Sequence, residues 1–313
     1  MGGPARPTST ELDVTVPRLS YGLITPARDE AVNLKRLGQC LSEQTLLPDS
    51  WLVVDDGSTD GTLEIAQSLA KKDPWVRALS SSAVATRQDP ESSGRGTGRD
   101  IVAFKTGVTA LDPPPDIVVK LDADVSLELD FFDRLVGSFE ADPTLGIAGG
   151  VCYELENGDW RPYHVTRGHV RGATRAYRWQ CLLDVSPLEE QIGWDAVDEI
   201  RANLSGWTTR SISDLPFYHH RPLGARDGSR RQWQMQGVMA HYLGYRASYL
   251  VARALWRGRK EPAALSMVSA YAAAAWRREP RCSDERVRAH VRREQRLRAL
   301  PLRFREALGR TGS

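Results

Sequence analysis

The sequence has few cysteines and no long apolar run. The four cysteines form no CxxC pair and match no zinc-binding spacing; they are Cys40, Cys152, Cys181 and Cys282. We therefore expect buried, reduced thiols in a cytoplasmic protein. No segment approaches the ~18 apolar residues that a membrane-spanning helix needs. Residues 1–19 form a polar tail rich in Pro and Thr that does not resemble a signal peptide.

Charge is distributed unevenly along the chain. The 42 Lys and Arg residues nearly balance the 40 Asp and Glu residues, but residues 1–220 contain 21 basic against 33 acidic side chains. Residues 221–313 contain 21 basic side chains against 7 acidic ones. A basic segment of this kind favours contact with anionic lipid, an acidic ligand or an acidic partner. The chain contains 41% hydrophobic residues, which excludes a disordered protein.

Apolar runs alternate with helical spacing in the first half of the chain. Strands are predicted at 20–25, 51–54, 117–121 and 145–153, and helices at 30–44, 60–71, 101–111 and 129–140. This order indicates an α/β fold with a mostly parallel central sheet flanked by helices. Residues 80–100 are predicted as a loop.

The second half divides differently. Residues 154–232 show no regular apolar pattern, whereas 233–257, 263–278 and 284–299 have helical spacing. We therefore predict a flexible tail (1–19), an α/β domain (20–220) and a basic helical C-terminal extension (221–313).

Two acidic motifs follow predicted strands. Asp55-Asp56-Gly57-Ser58 comes after the apolar run 51–54, where a carboxylate can accept hydrogen bonds from a base or a ribose. Asp122-Ala123-Asp124 comes directly after strand 117–121, and two carboxylates on a tight turn can share a divalent cation. Each motif alone is also compatible with a solvated turn. Two acidic strand ends in one α/β unit indicate a shared site.

These motifs carry a family resemblance. Residues 25–30 (TPARDE), 54–62 (VDDGSTDGT) and 121–124 (LDAD) resemble, in order and spacing, the motifs of family 2 glycosyltransferases with the GT-A fold. Gly98-Arg99-Asp100, followed by Gly107, resembles that family's segment before the metal motif. The resemblance covers about residues 20–220. It implies inverting transfer from a nucleotide-activated sugar (UDP-, dTDP- or GDP-sugar), assisted by Mg²⁺ or Mn²⁺.

The resemblance also implies roles for single residues. Pro26, Ala27 and Glu30 would line the nucleoside pocket, and Asp56 would contact the base or ribose. Arg99 would lie near the nucleotide, Asp122 would face the ribose or metal-bound water, and Asp124 would bind the metal. The family usually has Arg-Asn where this chain has Arg99-Asp100, which leaves the role of Asp100 open.

An inverting transferase needs a carboxylate to accept the proton of the acceptor hydroxyl. The family often supplies it from a Glu-Asp pair at the start of a helix. The corresponding pair here is Trp194-Asp195, so we predict Asp195 as the base and Asp198, one helical turn later, as the alternative. A helix cap with a solvated acidic first turn is the competing interpretation.

Two basic segments complete the predicted site. Arg171 and Gly172 belong to a stretch that resembles the acceptor border of the family, where arginine can bind an anionic acceptor phosphate. His220 is predicted to complete the metal shell, and Arg221 to bridge the diphosphate. Exposed helix arginines and a structural histidine are the alternatives.

The sequence thus predicts a glycosyltransferase that acts on a glycan or lipid-linked acceptor in the synthesis of a cell-surface polysaccharide or glycolipid. The rival hypothesis is a catalytically silent, GT-A-like nucleotide-binding or scaffolding protein, which would explain the Trp194-Asp195 pair. A sugar nucleotidylyltransferase is disfavoured because residues 24–30 lack a glycine-rich phosphate loop.

The basic extension leaves two interpretations open. Its helices could lie peripherally on an anionic membrane, at the inner face of the plasma membrane, because Trp and Arg interleave at helical spacing. They could equally pack on the catalytic domain or in a dimer. No nucleic-acid-binding module is recognisable, so nucleic acid is not an expected partner.

Overall fold

A single sheet of nine strands lies at the centre of the described part of the chain. The computed structural model describes residues 18–80, 98–156, 158–163, 169–221 and 228–296. The strands are β1 (Tyr21–Ala27), β2 (Ser50–Asp55), β3 (Val76–Ser80), β4 (Ile117–Leu121), β5 (Val125–Leu127), β6 (Leu145–Glu156), β7 (Asp159–Pro162), β8 (Thr174–Arg178) and β9 (Thr208–His219).

Ten α-helices accompany these strands within the described residues. They are α1 (Ala31–Ser42), α2 (Thr62–Lys72), α3 (Arg99–Thr109), α4 (Phe131–Ala141), α5 (Trp179–Val185), α6 (Trp194–Leu204), α7 (Gly228–Tyr242), α8 (Ala247–Gly258), α9 (Ser266–Trp276) and α10 (Glu285–Glu294). A 3-10 helix at Pro262–Leu265 connects α8 to α9. The tail 1–17, most of the predicted loop at 81–97, and the end of the last predicted helix lie outside the described residues.

The sheet has a parallel half and a mixed half. Its order is β3-β2-β1-β4-β8-β6-β9-β5, with β7 paired to the outer part of β6. Strands β3, β2, β1 and β4 are parallel, whereas β8 runs antiparallel to both β4 and β6. The predicted α/β sheet with flanking helices is confirmed, and its parallel part is the half that carries both acidic motifs.

Helices cover both faces of the parallel half. One core cluster joins β1, β2 and β4 to α1, α2 and α4, and a second joins the opposite face to α3, α5 and α6. Strand β4 is buried along its whole length, which explains why its sequence is almost continuously apolar. Because β4 is packed on both faces, its carboxyl end holds the residues that follow it in place.

The region without a regular apolar pattern contains β8, α5, α6 and β9. Strand β9 is buried only at alternate positions near its end, Leu215, Phe217 and His219, and its first seven residues are exposed or half-buried. Its pairing with β6 also shifts register between Gly150 and Val151. These irregularities hide the period-two pattern by which strands are recognised.

The helices of the extension pack against α6. The predicted single helix at 233–257 is two helices, because Gly244 adopts φ +71° between α7 and α8. Val197 of α6 forms one buried cluster with Tyr242, Leu243, Cys282 and Val287. Among the described residues, every helix is too short or too polar to span a membrane. The packing of extension helices on the α/β domain is thus observed for α7 and α10.

Candidate active site

Two carboxylates and an imidazole converge where β4 and β9 end. Asp122 and Asp124 follow β4, and His219 is the last residue of β9, paired with Val125 of β5. Ligand atoms of the three side chains lie within 4.8 Å of one another. His219 Nε2 is 3.1 Å from Asp124 Oδ1. Asp124 and His219 are buried, and the Asp122 side chain is 13% exposed.

The histidine in this cluster is His219, whereas His220 is the residue predicted from the sequence to complete the metal shell. Successive residues at a strand end point to opposite faces, so only one of the pair can face Asp124. His220 Nε2 lies 2.8 Å from Ser126 Oγ, and its ring contacts Trp160 edge-on at 5.4 Å. Burial lowers the pKa of His220. His220 thus lies outside this cluster, and its neighbour His219 is the histidine beside Asp122 and Asp124.

Arg221 connects two predicted parts of the site. Its guanidinium donates to both carboxylate oxygens of Glu30, at 2.7 and 2.6 Å. The same group lies 3.5 Å from Asp124 Oδ2. Glu30 immediately precedes α1, so the segment after β1 and the acidic segment after β4 are bridged by one cation. A planar guanidinium in this position is suited to bidentate contact with phosphate oxygens.

The predicted nucleoside residues share one sheet edge. Pro26 and Ala27 pair with Val54 and Asp55 across β1 and β2, and Ala27 is buried. Asp56 follows β2, and its carboxylate accepts a hydrogen bond from Arg99 Nε at 2.8 Å. The structure therefore brings these positions to the edge that the sequence indicated.

Arg28 supplies a second cation to this corner, since its Nη1 lies 3.6 Å from Asp56 Oδ2. The turn that follows requires glycine, because Gly57 adopts φ +72° while Asp55 accepts the amide hydrogens of Gly57 and Ser58.

Lys120 is a buried cation that was not predicted from the sequence as a site residue. Its side chain is 1% exposed, and Nζ lies 2.6 Å from Asp122 Oδ1 and 3.2 Å from Asp100 Oδ2. The ammonium is also 5.6 Å from the centre of the Trp194 ring. The position of Lys120 as a charged residue inside the apolar run of β4 could have indicated a buried ion pair from the sequence. Asp100, the departure from the family pattern, is an ion-pair partner here.

Asp198, the alternative base, is buried in an ion-pair network. It is 1% exposed, lies 2.5 Å from Arg175 Nη2, and accepts a hydrogen bond from the Tyr177 hydroxyl. Arg175 also contacts Glu199 at 3.0 Å. Burial raises the pKa of Asp198 to about 7, against the opposing attraction of Arg175. An acceptor hydroxyl cannot reach this carboxylate without opening the core.

Asp195 occupies the first turn of α6 and is accessible. Its side chain is 28% exposed, and its Oδ2 lies 3.6 Å from His169 Nε2. His169 Nδ1 lies 3.1 Å from Glu199, so the imidazole joins a buried carboxylate to a half-buried one. Burial alone would lower the pKa of His169, but the charges of Glu199 and Asp195 raise it above its ordinary value.

Arg171 and Gly172 lie beside the site, next to Glu154 and Lys120 respectively. Arg171 is buried, pairs with Glu154 at 3.3 Å, and stacks over the Tyr163 ring at 4.6 Å. The Gly172 carbonyl accepts a hydrogen bond from Lys120 at 3.4 Å. A Cβ atom at Gly172 would lie 3.1 Å from the Trp194 ring, so glycine permits the close approach of α6.

The mixed central sheet with flanking helices has the GT-A-type fold. The model of glycosyl transferase family 2 matches residues 23–187, which is more than half of the chain. The chain therefore belongs to this family and is a glycosyltransferase. A comparison with curated proteins by sequence finds no significant match.

Solved structures share this fold at low sequence identity. The mannosyltransferase PcManGT from Pyrobaculum calidifontis, solved with GDP-Man and Mn²⁺, is 17% identical with a TM-score of 0.52, covering 93% of this chain and 85% of its own. Glucosyl-3-phosphoglycerate synthase from Mycobacterium tuberculosis, solved with Mn²⁺ and UDP, is 18% identical with a TM-score of 0.50. That match covers 71% of this chain and 78% of the other.

A third similar structure is S. aureus TarS 1-349 in complex with UDP-GlcNAc. It is 18% identical with a TM-score of 0.50, and the match covers 71% of this chain and 66% of that one.

Proposed function

We propose that the protein transfers a sugar, with inversion, from a nucleotide-diphosphate donor to a hydroxyl of a glycan or lipid-linked acceptor. The observation that carries this proposal is the convergence of Asp122, Asp124 and His219 beside the Arg221–Glu30 pair. Carboxylates and a guanidinium at the carboxyl ends of strands provide contacts for a nucleoside, a cation and a diphosphate together. The nucleotide sugars bound by the similar structures support the same donor class.

The donor set fits a divalent cation. Two carboxylates match the oxygen preference of Mg²⁺ and Mn²⁺, and the imidazole adds a nitrogen ligand that favours Mn²⁺. Asp122, Asp124 and His219 would bind the ion. When bound, it neutralises the negative charge of the diphosphate leaving group. The Mn²⁺ in the similar structures agrees with this assignment.

The remaining residues bind the donor and move the proton. Asp56 accepts hydrogen bonds from the base or ribose, with Arg28 and Arg99 fixing its carboxylate. Arg221 contacts the diphosphate as its bond to the sugar breaks.

Asp195 accepts the proton of the acceptor hydroxyl, because it is more accessible than Asp198, the alternative base. Arg171, beside Tyr163, contacts an anionic group of the acceptor.

The donor experiment uses calorimetry with UDP, GDP and dTDP, each with Mn²⁺ and with EDTA. One nucleotide should bind more tightly with Mn²⁺, and Asp124→Asn should abolish that gain while Asp214→Asn, at a 77% exposed carboxylate, leaves it unchanged. Product formation with the corresponding sugar nucleotides then identifies the donor. Equal affinities with and without Mn²⁺ for all three nucleotides would contradict the metal assignment.

We further propose that the extension contacts an anionic membrane through α8. Val251, Leu255 and Trp256 on this helix are 40, 58 and 40% exposed, and exposed Arg257 and Arg259 flank them. Apolar side chains beside arginines complement an interface of acyl chains and anionic headgroups. Such contact would bring the enzyme to the surface that carries a lipid-linked acceptor.

A further inference from the structure

A second group of potential metal ligands lies beside the candidate active site. Donor atoms of Cys152, Glu154 and His219 lie within 4.8 Å of one another, and all three side chains are buried. This group contains a thiol, whereas the Asp122, Asp124 and His219 group contains oxygen and nitrogen donors only. The two groups share one imidazole and nothing else.

Strand geometry explains why these three residues meet. Cys152 and Glu154 are two positions apart on β6, so their side chains point to the same face. Strand β9 runs parallel to β6, and His219 is the register partner of Glu154. The arrangement therefore follows from backbone pairing within the sheet and does not depend on a loop.

The two nitrogens of His219 face the two groups separately. Nε2 is 3.1 Å from Asp124 Oδ1, and Nδ1 is 3.9 Å from Glu154 Oε1. An imidazole can bind a metal through either nitrogen. The ring thus separates an oxygen-rich group suited to Mg²⁺ or Mn²⁺ from a thiol-containing group suited to a softer cation.

We propose that Cys152, Glu154 and His219 Nδ1 form a second metal site, which binds a thiophilic divalent cation of the Zn²⁺ class. On binding, the Cys152 thiol loses its proton to solvent, and the thiolate sulfur and His219 Nδ1 each donate an electron pair to the ion. When Nε2 of the same ring also binds a cation, the ring N–H proton is lost to solvent as well. Three protein ligands leave the fourth tetrahedral position to water.

The three donor atoms must move slightly closer together to bind one ion. Ligand distances of ~2.0–2.3 Å place neighbouring donors of a tetrahedral zinc site roughly 3.5 Å apart. The donor atoms of Cys152, Glu154 and His219 lie within 4.8 Å of one another, so side-chain movements of about 1 Å would bring them to zinc-binding distances. Glu154 is also the ion-pair partner of Arg171, at 3.3 Å. Occupancy of this site would therefore change the charge beside Arg171.

Cobalt spectroscopy on the full-length protein tests this site without an activity assay. Co²⁺ is added to metal-free protein, and a near-ultraviolet thiolate-to-cobalt charge-transfer band is recorded, followed by displacement with Zn²⁺. The native protein should develop the band with one equivalent of Co²⁺, and Cys152→Ser should not. The matched control is Cys282→Ser, since Cys282 is also a buried free cysteine but lies in another cluster.

The remaining variants separate this site from the catalytic metal. Asp122→Asn alters the other group and should retain the band, whereas Glu154→Gln should weaken Co²⁺ binding at least about tenfold. The absence of a band in the native protein, its persistence in Cys152→Ser, or its loss in Asp122→Asn would overturn the proposal. If circular dichroism shows that Cys152→Ser is unfolded, Glu154→Gln decides, because unchanged Co²⁺ affinity in that variant also overturns it.

Discussion

Asp195 and Asp198, in the first two turns of α6, should respond differently to the same substitution. Asp195→Asn and Asp198→Asn each replace a carboxylate by an amide of nearly equal shape. Asp195 is 28% exposed, whereas Asp198 is fully enclosed and contacts Arg175. The first change should therefore affect chemistry, and the second should affect stability.

The magnitudes follow from these environments. Loss of a general base lowers kcat by ~10²–10⁴-fold, while a half-exposed pair such as Asp195–His169 contributes only about 0–1 kcal/mol to stability. Removing one partner of a buried ion pair costs about 3–5 kcal/mol. At about 2 °C per kcal/mol for a chain of this size, Asp198→Asn should lower Tm by roughly 6–10 °C.

The pH dependence of the Asp198→Asn penalty provides an internal check. Burial raises the pKa of Asp198 to about 7, so the native carboxyl becomes neutral as the pH falls below that value. The folded protein binds this proton while the unfolded chain stays ionised, so the native protein gains stability as the pH falls and the non-titrating amide does not. The difference in Tm between the native protein and Asp198→Asn should therefore grow from pH 8 to pH 6.

The assays are initial-rate kinetics and thermal unfolding of both variants, with calorimetry to confirm that each still binds the donor nucleotide. We expect Asp195→Asn to keep its Tm within about 2 °C and lose turnover, and folded Asp198→Asn to retain kcat within about tenfold. Near-native turnover in Asp195→Asn, together with loss of turnover at unchanged Tm in Asp198→Asn, would refute the reasoning and identify Asp198 as the base.

Three further predictions concern other parts of the molecule. Lys120→Met should lower the free energy of unfolding by about 3–5 kcal/mol in urea denaturation, because it leaves two carboxylates without their buried cation, whereas Lys105→Met, at an exposed pair, should have little effect. Because the pKa of His169 is raised in the folded protein, protonated His169 should stabilise it fully below about pH 6.5 and progressively less as the pH rises through the raised pKa. His169→Asn should reduce this pH dependence of the free energy of unfolding, measured in urea at pH 6 and 8. An unchanged pH dependence in the variant would contradict the prediction. The protein should sediment with anionic but not neutral vesicles, less so at high salt, and Leu255→Asp should weaken this while Leu183→Asp, on α5, should not; equal binding by both variants would exclude α8 as the contact.

The parallel half of the sheet could be predicted from the sequence because its strands are buried on both faces. The runs 51–54 and 117–121 are almost entirely apolar, and the observed strands β2 and β4 extend them by at most one residue at either end. The mixed half could not be predicted in the same way. Strand β9 begins at the surface, and its pairing with β6 is interrupted by a register shift, so no regular period is present.

The candidate site shows a similar division. Asp122, Asp124 and Asp56 were identified because each follows a strand end, and position in a parallel sheet brings strand ends together. The choice between His219 and His220 depends on which face of β9 each residue occupies, and an unrecognised strand gives no such information. Likewise, the burial of Asp198 depends on Arg175, which is distant in sequence and lies on β8.

Helix α6 has a consequence for engineering this enzyme. The residue before it, Gly193, adopts φ +86°, and a Cβ atom there would lie 2.7 Å from the Met239 side chain of α7. The start of the helix that carries Asp195 is thus in direct contact with the C-terminal extension. Exchange of the extension for that of another transferase would change the surface supporting this helix start. A functional chimera would therefore have to retain a side chain of matching shape at position 239, even if the donor-binding half were left untouched.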